Sequence, residues 1–209
     1  MIRVLMADDH AIVRKGLRQI LAEGELPCEV EEATSGREVL KKIYDADWDI
    51  LVLDISLPDQ SGLDLVKELK HLRPRLPILI LSVHPEEQYA VRALKAGVAG
   101  YLNKDSAPDQ LVQAVQRIVG GGKYISQSLA ETLAMNVGGG AQGAPHESLS
   151  DREFSVLLHI GKGKSVTEIA DELGLSVKTI STYRTRILEK MNMTSNAEMI
   201  RYAIEANLV

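Results

Sequence analysis

The chain has 209 residues, 45% hydrophobic and 25% charged, with a net charge of −5, an ordinary composition for a soluble globular protein of one or two domains. Its one cysteine, Cys28, excludes an internal disulfide and suits a reducing compartment; it follows Pro27, where a buried or loop thiol is expected. No run reaches the roughly 18 uninterrupted apolar residues of a membrane span, and the N-terminus opens on a strand rather than a signal segment, so a cytoplasmic protein without membrane contact is expected.

In chain order, Ile2 to Ala7 reads as a strand with only Arg3 polar, stopping at Asp8, Asp9 and His10. Ala11 to Ala22 has helical periodicity. Val30 to Ala33, broken by Glu31 and Glu32, is the weakest of five expected strands, and Gly36 to Tyr44 is again helical. Ile50 to Leu53 is apolar without a break, as a strand buried on both faces of a parallel sheet requires. It ends in one carboxylate, Asp54, before the turn-forming Pro58 and Gly62. A helix from Leu63 to Leu72, a strand from Pro77 to Ser82 and a helix from Glu86 to Ala96 follow. The last strand, Ala99 to Asp105, carries Lys104 at its end. Ala107 to Val119 is amphipathic, with Leu111, Val112, Val115, Ile118 and Val119 on one face, and stops at Gly120 to Gly122. No nucleotide fingerprint surrounds those glycines. Strict β/α alternation predicts an α/β fold with a doubly wound, five-stranded parallel sheet and right-handed crossovers.

Open sheets of this kind bind ligands beyond the carboxyl ends of their strands. Asp8, Asp9, Asp54, Ser82 and Lys104 would all project from that edge, and their combined chemistry is phosphoryl transfer. Neighbouring carboxylates repel one another, and a hard cation such as Mg2+ relieves the repulsion with oxygen ligands. The ion also neutralises a phosphoryl group, so that an anionic carboxylate can attack phosphorus. Lys104 can pair with phosphoryl oxygens and Ser82 can donate a hydrogen bond. An ordinary ion-pair network among Asp8, Asp9 and Lys104 is the plainer alternative.

Together with the run Gly100, Tyr101, Leu102, Asn103, Lys104 and Asp105, these pieces make residues 1–125 resemble a response-regulator receiver domain. The resemblance implies a flavodoxin-like sheet, with Asp54 as phospho-acceptor. It implies Mg2+ held by Asp9, Asp54 and the main-chain carbonyl of Ser56, with Asp8 helping through water. Ser82 and Tyr101 would be a switch pair, and Lys104 the phosphate contact.

Ser126 to Val137 reads as a short helix, and Gly138 to Glu147, with four glycines, as a flexible linker by composition. Residues 126–147 thus separate two domains. Residues 148–209 read as an all-α domain. Ser150 with Glu153, Ser165 with Glu168, and Ser195 with Glu198 match capping boxes, and a further helix starts at Ser176. Ser165 to Leu173, the turn at Gly174 and Leu175, and Ser176 to Lys190 form helix, tight turn, helix.

Residues 1–126 carry 16 Lys+Arg and 19 Asp+Glu, and residues 127–209 carry 8 and 10. Within Ser176 to Lys190, however, Lys178, Arg184, Arg186 and Lys190 face only Glu189, and a local basic stretch suffices for phosphate binding by an acidic protein. Ile180, Tyr183, Ile187 and Met191 form a core stripe. Lys178, Ser181, Thr182 and Thr185 form a polar face of small side chains, suited to a major groove about 12 Å wide. A solvated face in a dimerisation bundle is the alternative. The segments Leu149 to Glu153, Glu168 to Ala170, Leu173 to Ile180 and Ile187 to Lys190 are similar to the LuxR-type helix-turn-helix. Tyr183 stands where histidine is common and Ser181 where lysine is frequent, so operator preference does not carry over from better-known members.

The whole chain resembles a NarL/FixJ-type response regulator. The resemblance implies a phosphorylation-controlled transcription factor rather than an enzyme, one that slowly loses its phosphoryl group. Its partners would be a sensor histidine kinase and double-stranded DNA, with homodimers forming on phosphorylation. Lys178, Thr179, Ser181, Thr182, Arg184, Thr185 and Arg186 are the expected DNA-facing residues. A metal-dependent phosphatase using Asp54 as nucleophile, and a receiver acting through protein contacts alone, are the alternatives.

Overall fold

The computed structural model describes residues 1–24, 26–83, 86–126, 129–131 and 144–209, without the side chains at 87 and 88. The chain divides into two compact units, Met1–Gly139 and Gly140–Val209. In the first, the elements are β1 (Ile2–Ala7), α1 (Ala11–Glu23), β2 (Cys28–Ala33), α2 (Gly36–Asp45), β3 (Ile50–Asp54), α3 (Gly62–Leu72), β4 (Ile78–Ser82), α4 (Glu86–Lys95), β5 (Gly100–Asn103) and α5 (Ala107–Val119). All strand pairs are parallel, in the order β2-β1-β3-β4-β5. Every residue of β3 and β4 is buried, which is why both read as continuous apolar runs.

Alternate residues serve opposite faces of the sheet. Val4, Met6, Ile50, Val52, Leu79 and Leu81 join Leu17 and Leu21 of α1 and Leu111, Val115 and Ile118 of α5 in one core. The intervening Leu5, Leu51, Leu53 and Ile80 are fully buried on the other side, as are Val39, Val66 and Leu69 of α2 and α3. β2 begins at Cys28, earlier than its side-chain pattern suggests, because Ile2 to Ala7 pair with Cys28 to Ala33 through the main chain. As an edge strand it carries charge without burying it: Glu29 and Glu31 lie 4.0 and 3.8 Å from Arg3, whose guanidinium sits over Trp48 at 4.6 Å.

The register places the functional edge. Ala7 pairs with Leu53, Asp54 with Leu81, and Ser82 with Asn103, so Asp8, Asp54, Ser82 and Lys104 end neighbouring strands, each within one residue of the next. Gly62, opening α3, is needed there: a Cβ would lie 2.5 Å from the Asp54 carbonyl oxygen.

The second unit opens with a short 3-10 turn, Pro145–Ser148, followed by α6 (Asp151–Gly161), α7 (Val166–Leu173), α8 (Val177–Lys190) and α9 (Asn196–Glu205). Phe154, Leu157, Ile160, Ile169, Ile180, Ile187, Met199 and Ala203 are buried among these helices. Gly174 ends α7 in the left-handed conformation (φ 62°), making the tight turn into α8. Ser150 and Ser165 form complete capping boxes with Glu153 and Glu168. The third expected box is different: Ser195 accepts from the Glu198 N–H, but the Glu198 carboxylate takes the N–H of Thr194 at 2.6 Å. The expected helix from Ser126 to Val137 and the glycines from Gly138 to Gly143 lie mostly outside the described residues; Leu129 is buried, and the Ser126 N–H donates to Glu86 at 3.4 Å.

Candidate functional site

Asp54 ends β3 with 3% of its surface exposed, and Asp8 follows β1 with 1% exposed. The Lys104 ammonium lies between them, 2.7 Å from Asp54 Oδ2 and 2.6 Å from Asp8 Oδ2. The other oxygen of each carboxylate is oriented by the chain itself: the Ser56 N–H donates to Asp54 Oδ1 at 3.1 Å, and the His10 N–H to Asp8 Oδ1 at 2.7 Å. One ligand atom each from Asp8, Asp9, His10 and Asp54 lie within 4.8 Å of one another. Three carboxylates against one ammonium leave an excess of negative charge, which favours a divalent cation. Asp8 Oδ2 accepts no well-directed hydrogen bond, despite the nearby ammonium. The donor set therefore fits a metal ion.

Burial pushes the Asp54 carboxyl above its usual range; Lys104 and the Ser56 N–H draw it back only in part, and Asp8 adds to the rise. Burial alone would lower Lys104, but Asp54 and Asp8 outweigh it and raise the ammonium. The result is a basic carboxylate beside a firmly charged ammonium, which suits attack on an electrophilic phosphorus. Ser82 is fully buried at the end of β4. Tyr101 is also buried, its phenol pushed upward chiefly by burial while a hydrogen bond with Ser82 opposes the rise. Tyr101 thus already faces inward.

The pocket is braced from outside. Arg14 on α1 donates to the Asp8 carbonyl at 2.7 Å and to Glu32 at 2.9 Å. Asp59, in the turn after β3, accepts the Gly36 and Arg37 N–H groups at 2.8 and 3.0 Å, latching that turn to the N-terminus of α2. The strand-end pattern pointed to Asp8, Asp9, Asp54, Ser82 and Lys104 at this place, and the receiver resemblance added Ser56 and Tyr101. Both missed Arg14, Asp59 and the ring of His10; the adjacency of His10 to Asp9 was the one signal available.

In the second unit, α8 buries Ile180 and Ile187 and exposes Lys178, Ser181, Thr182, Thr185 and Arg186. The hydroxyls of Ser181, Thr182 and Thr185 donate to carbonyls one turn back at 2.9, 3.0 and 3.1 Å, so each keeps acceptor lone pairs on an exposed side chain, and the two threonines add a methyl. Thr179 is half-buried, its hydroxyl 2.8 Å from that of the capping Ser176. Arg184 is half-buried on the flank, its Nε donating to Asn196 Oδ1 of α9 at 2.5 Å. Lys190 pairs with the buried Glu153 at 2.7 Å. Val177, which opens the helix, is an exposed apolar side chain that charge patterning did not single out.

Comparison with known proteins agrees with both halves. The family described as "Response regulator receiver domain" matches residues 4–116, and "Bacterial regulatory proteins, luxR family" matches residues 147–203. The chain is 35% identical to the response regulator GacA of Pseudomonas aeruginosa, covering 100% of this chain and 98% of that protein. It is 38% identical to the transcriptional activator protein ExaE of Pseudomonas putida, over 99% and 97%. The structure of RcsB from Salmonella enterica serovar Typhimurium, bound to a promoter in the presence of a phosphomimetic, superposes with a TM-score of 0.60 at 28% identity, covering 96% of this chain and 97% of that one. RcsB has also been solved as dimers bound to DNA.

Proposed function

The chain belongs to the response regulators that join a receiver domain to a LuxR-type DNA-binding domain, and on that premise we propose how its own residues carry the activity. Phosphorylation of the receiver controls DNA binding and transcription. Asp54 is the phospho-acceptor: a carboxylate oxygen attacks the phosphorus of a phosphohistidine on a sensor histidine kinase, or of a small phosphodonor, and the P–N or P–O bond to the donor breaks. The observation that supports this most directly is the buried Asp54 and Asp8 pair sharing the Lys104 ammonium at the carboxyl edge of the sheet. Lys104 moves its pairing from Asp54 to the new phosphoryl oxygens, and the Ser82 hydroxyl donates to them.

Asp9, Asp54 and the Ser56 carbonyl would hold Mg2+, with Asp8 behind them. When bound, the ion neutralises charge on the transferring phosphoryl group. Because Tyr101 is already buried against Ser82, phosphorylation need not swing it from solvent; it strengthens an inward state that exists beforehand. The phosphoryl group is lost slowly by hydrolysis, without the chain being an enzyme.

In the output domain, α8 enters the major groove. Ser181, Thr182 and Thr185 meet base edges, while Lys178, Arg184 and Arg186 meet phosphates; Thr179 contributes through the helix start. Phosphorylated chains act as homodimers on paired half-sites in the cytoplasm, and no helix among the described residues is long and apolar enough to cross a membrane. Domain limits of 1–125, 126–147 and 148–209 complete the proposal. The test is labelling with acetyl phosphate or a kinase and Mg2+. Asp54→Asn keeps the shape but removes the nucleophile, so labelling vanishes; undiminished, acid-stable labelling of the variant would remove Asp54 from this role.

A further inference from the structure

The glycines that end α5 place the start of the linker beside the pair Ser82 and Tyr101. The Gly121 and Gly122 N–H groups return to the Ile118 and Arg117 carbonyls at 2.9 Å each, reversing the chain. Tyr124 then bridges in parallel to β5. Its N–H donates to the Ala99 carbonyl at 2.9 Å, and its own carbonyl accepts the Tyr101 N–H at 3.2 Å. Gly100 permits that approach, since a Cβ there would lie 2.7 Å from the Tyr124 carbonyl oxygen. The main chain of Tyr101, whose phenol hydrogen-bonds with Ser82, is thereby joined to the segment that leads into the linker.

Ser126, two residues on, starts a helical turn. Its Oγ accepts the Leu129 N–H at 3.1 Å and its carbonyl the Ala130 N–H at 3.1 Å, with Leu129 buried. In a capping box the N–H of such a residue goes to a Glu three positions later. That position here is Leu129, and the Ser126 N–H donates instead to Glu86 Oε1, at the first residue of α4. At 3.4 Å the bond is long for one to a carboxylate, so a small displacement of α4 makes or breaks it. The same carboxylate adds to the rise that burial gives the Tyr101 and Tyr124 phenols. We infer that Glu86 couples the phosphorylation switch to the linker, closing the cap at Ser126 more firmly when Asp54 carries a phosphoryl group. The inference rests on the reading of Asp54 as phospho-acceptor. Ser82, drawn to the phosphoryl oxygens, holds Tyr101 inward; Tyr101 holds Tyr124 through its main chain, and Ser126 is held against Glu86. Glu86 is thus a positioning residue, acting through Ser126.

The experiment follows amide hydrogen exchange at Leu129 and Ala130 by NMR in the full-length chain, with and without acetyl phosphate and Mg2+. Labelling of Asp54 is measured in the same samples. Glu86→Ala removes the acceptor and Glu86→Gln keeps a neutral one, while exchange at Val115 within α5 reports that each variant is folded. On phosphorylation the two amides of wild type should gain at least about fivefold protection, those of Glu86→Ala less than about twofold, and those of Glu86→Gln an intermediate amount. If Glu86→Ala loses protection equally in both states and keeps the full gain on phosphorylation, Glu86 is a static cap and the coupling is overturned. A wild-type chain that is labelled yet gains no protection overturns it as well, and leaves Asp54 in its role. A wild-type chain that takes up no phosphoryl group brings down the reading of Asp54 itself, and the coupling with it.

Discussion

Asp54 carries a cost in the resting protein that its chemistry explains. A carboxylate held above its usual range by burial favours folding when protonated. Its contribution is fully present below the unfolded-state value and is lost as pH rises through the raised native one. Asp54→Asn should therefore melt higher than wild type at neutral pH, by on the order of 1 kcal/mol because Lys104 keeps Asp8 as a partner. The gain should fade as pH falls into the ordinary aspartate range, and a pH series of thermal melts reads both. On α8, Lys178→Ala and Arg186→Ala should each flatten the dependence of log K on log salt by about 0.9, while Thr182→Ala should change sequence preference on a randomised site library. Arg184 differs, because Asn196 holds its Nε. Asn196→Ala should weaken binding less than Arg184→Ala and add little to it in the double variant. Strand-end residues such as Asp54 and Lys104 were legible in the sequence because a strand's end fixes where its next side chain points. Asn196, Arg14 and the ring of His10 were not, since their partners lie across helix boundaries that spacing alone does not bring together.

At the level of elements, periodicity located helices that bury a single stripe, as Ile180 and Ile187 show on α8, whereas α6 is buried on nearly all sides and was located by its capping box. β2 was the weak point: its ladder to β1 runs through main-chain groups, to which side-chain alternation is blind. The tie between α6 and α8 was also illegible. Glu153 was recognised as the end of a capping box with Ser150, but it also receives Lys190 from the far end of α8. One carboxylate thereby caps the first helix of the domain and fixes the last turn of α8. Burial pushes Glu153 upward, yet the bonds from Lys190 and Ser150 hold it below the usual carboxylate range. A depressed group contributes stability above its unfolded-state value and loses it as pH falls through the native one. Glu153→Gln should thus lower stability at neutral pH by about 1 kcal/mol, Lys190 being partly solvated. The difference from wild type should close on acidification below the ordinary glutamate range. A gap that stayed constant with pH would mean that shape, not charge, is what α6 and α8 share.

For the whole molecule, the two units pose a question of control. Each closes its own core, and the output unit reaches further upstream than the limit at 148: His146 Nδ1 lies 2.7 Å from the Tyr202 hydroxyl, and its ring packs 5.7 Å from that of Phe154. A fragment beginning at Ser148 should accordingly be less stable than one beginning at Ala144, by about 1 kcal/mol for the lost hydrogen bond. Within the longer fragment, the shape of α8 is set by Ile180, Ile187 and the helices beside them. The receiver must then regulate by withholding an already formed reading surface, or by supplying a dimer contact. Interfaces between domains of one chain are modest and fairly polar, so a shift of a few kcal/mol opens one. Withholding predicts that residues 144–209 alone bind operator DNA at least as tightly as the unphosphorylated full-length chain. Measuring both affinities at one salt concentration decides the matter. An isolated domain that binds much more weakly than the unphosphorylated whole would exclude masking, and would leave receiver-driven dimerisation as the route from Asp54 to the DNA.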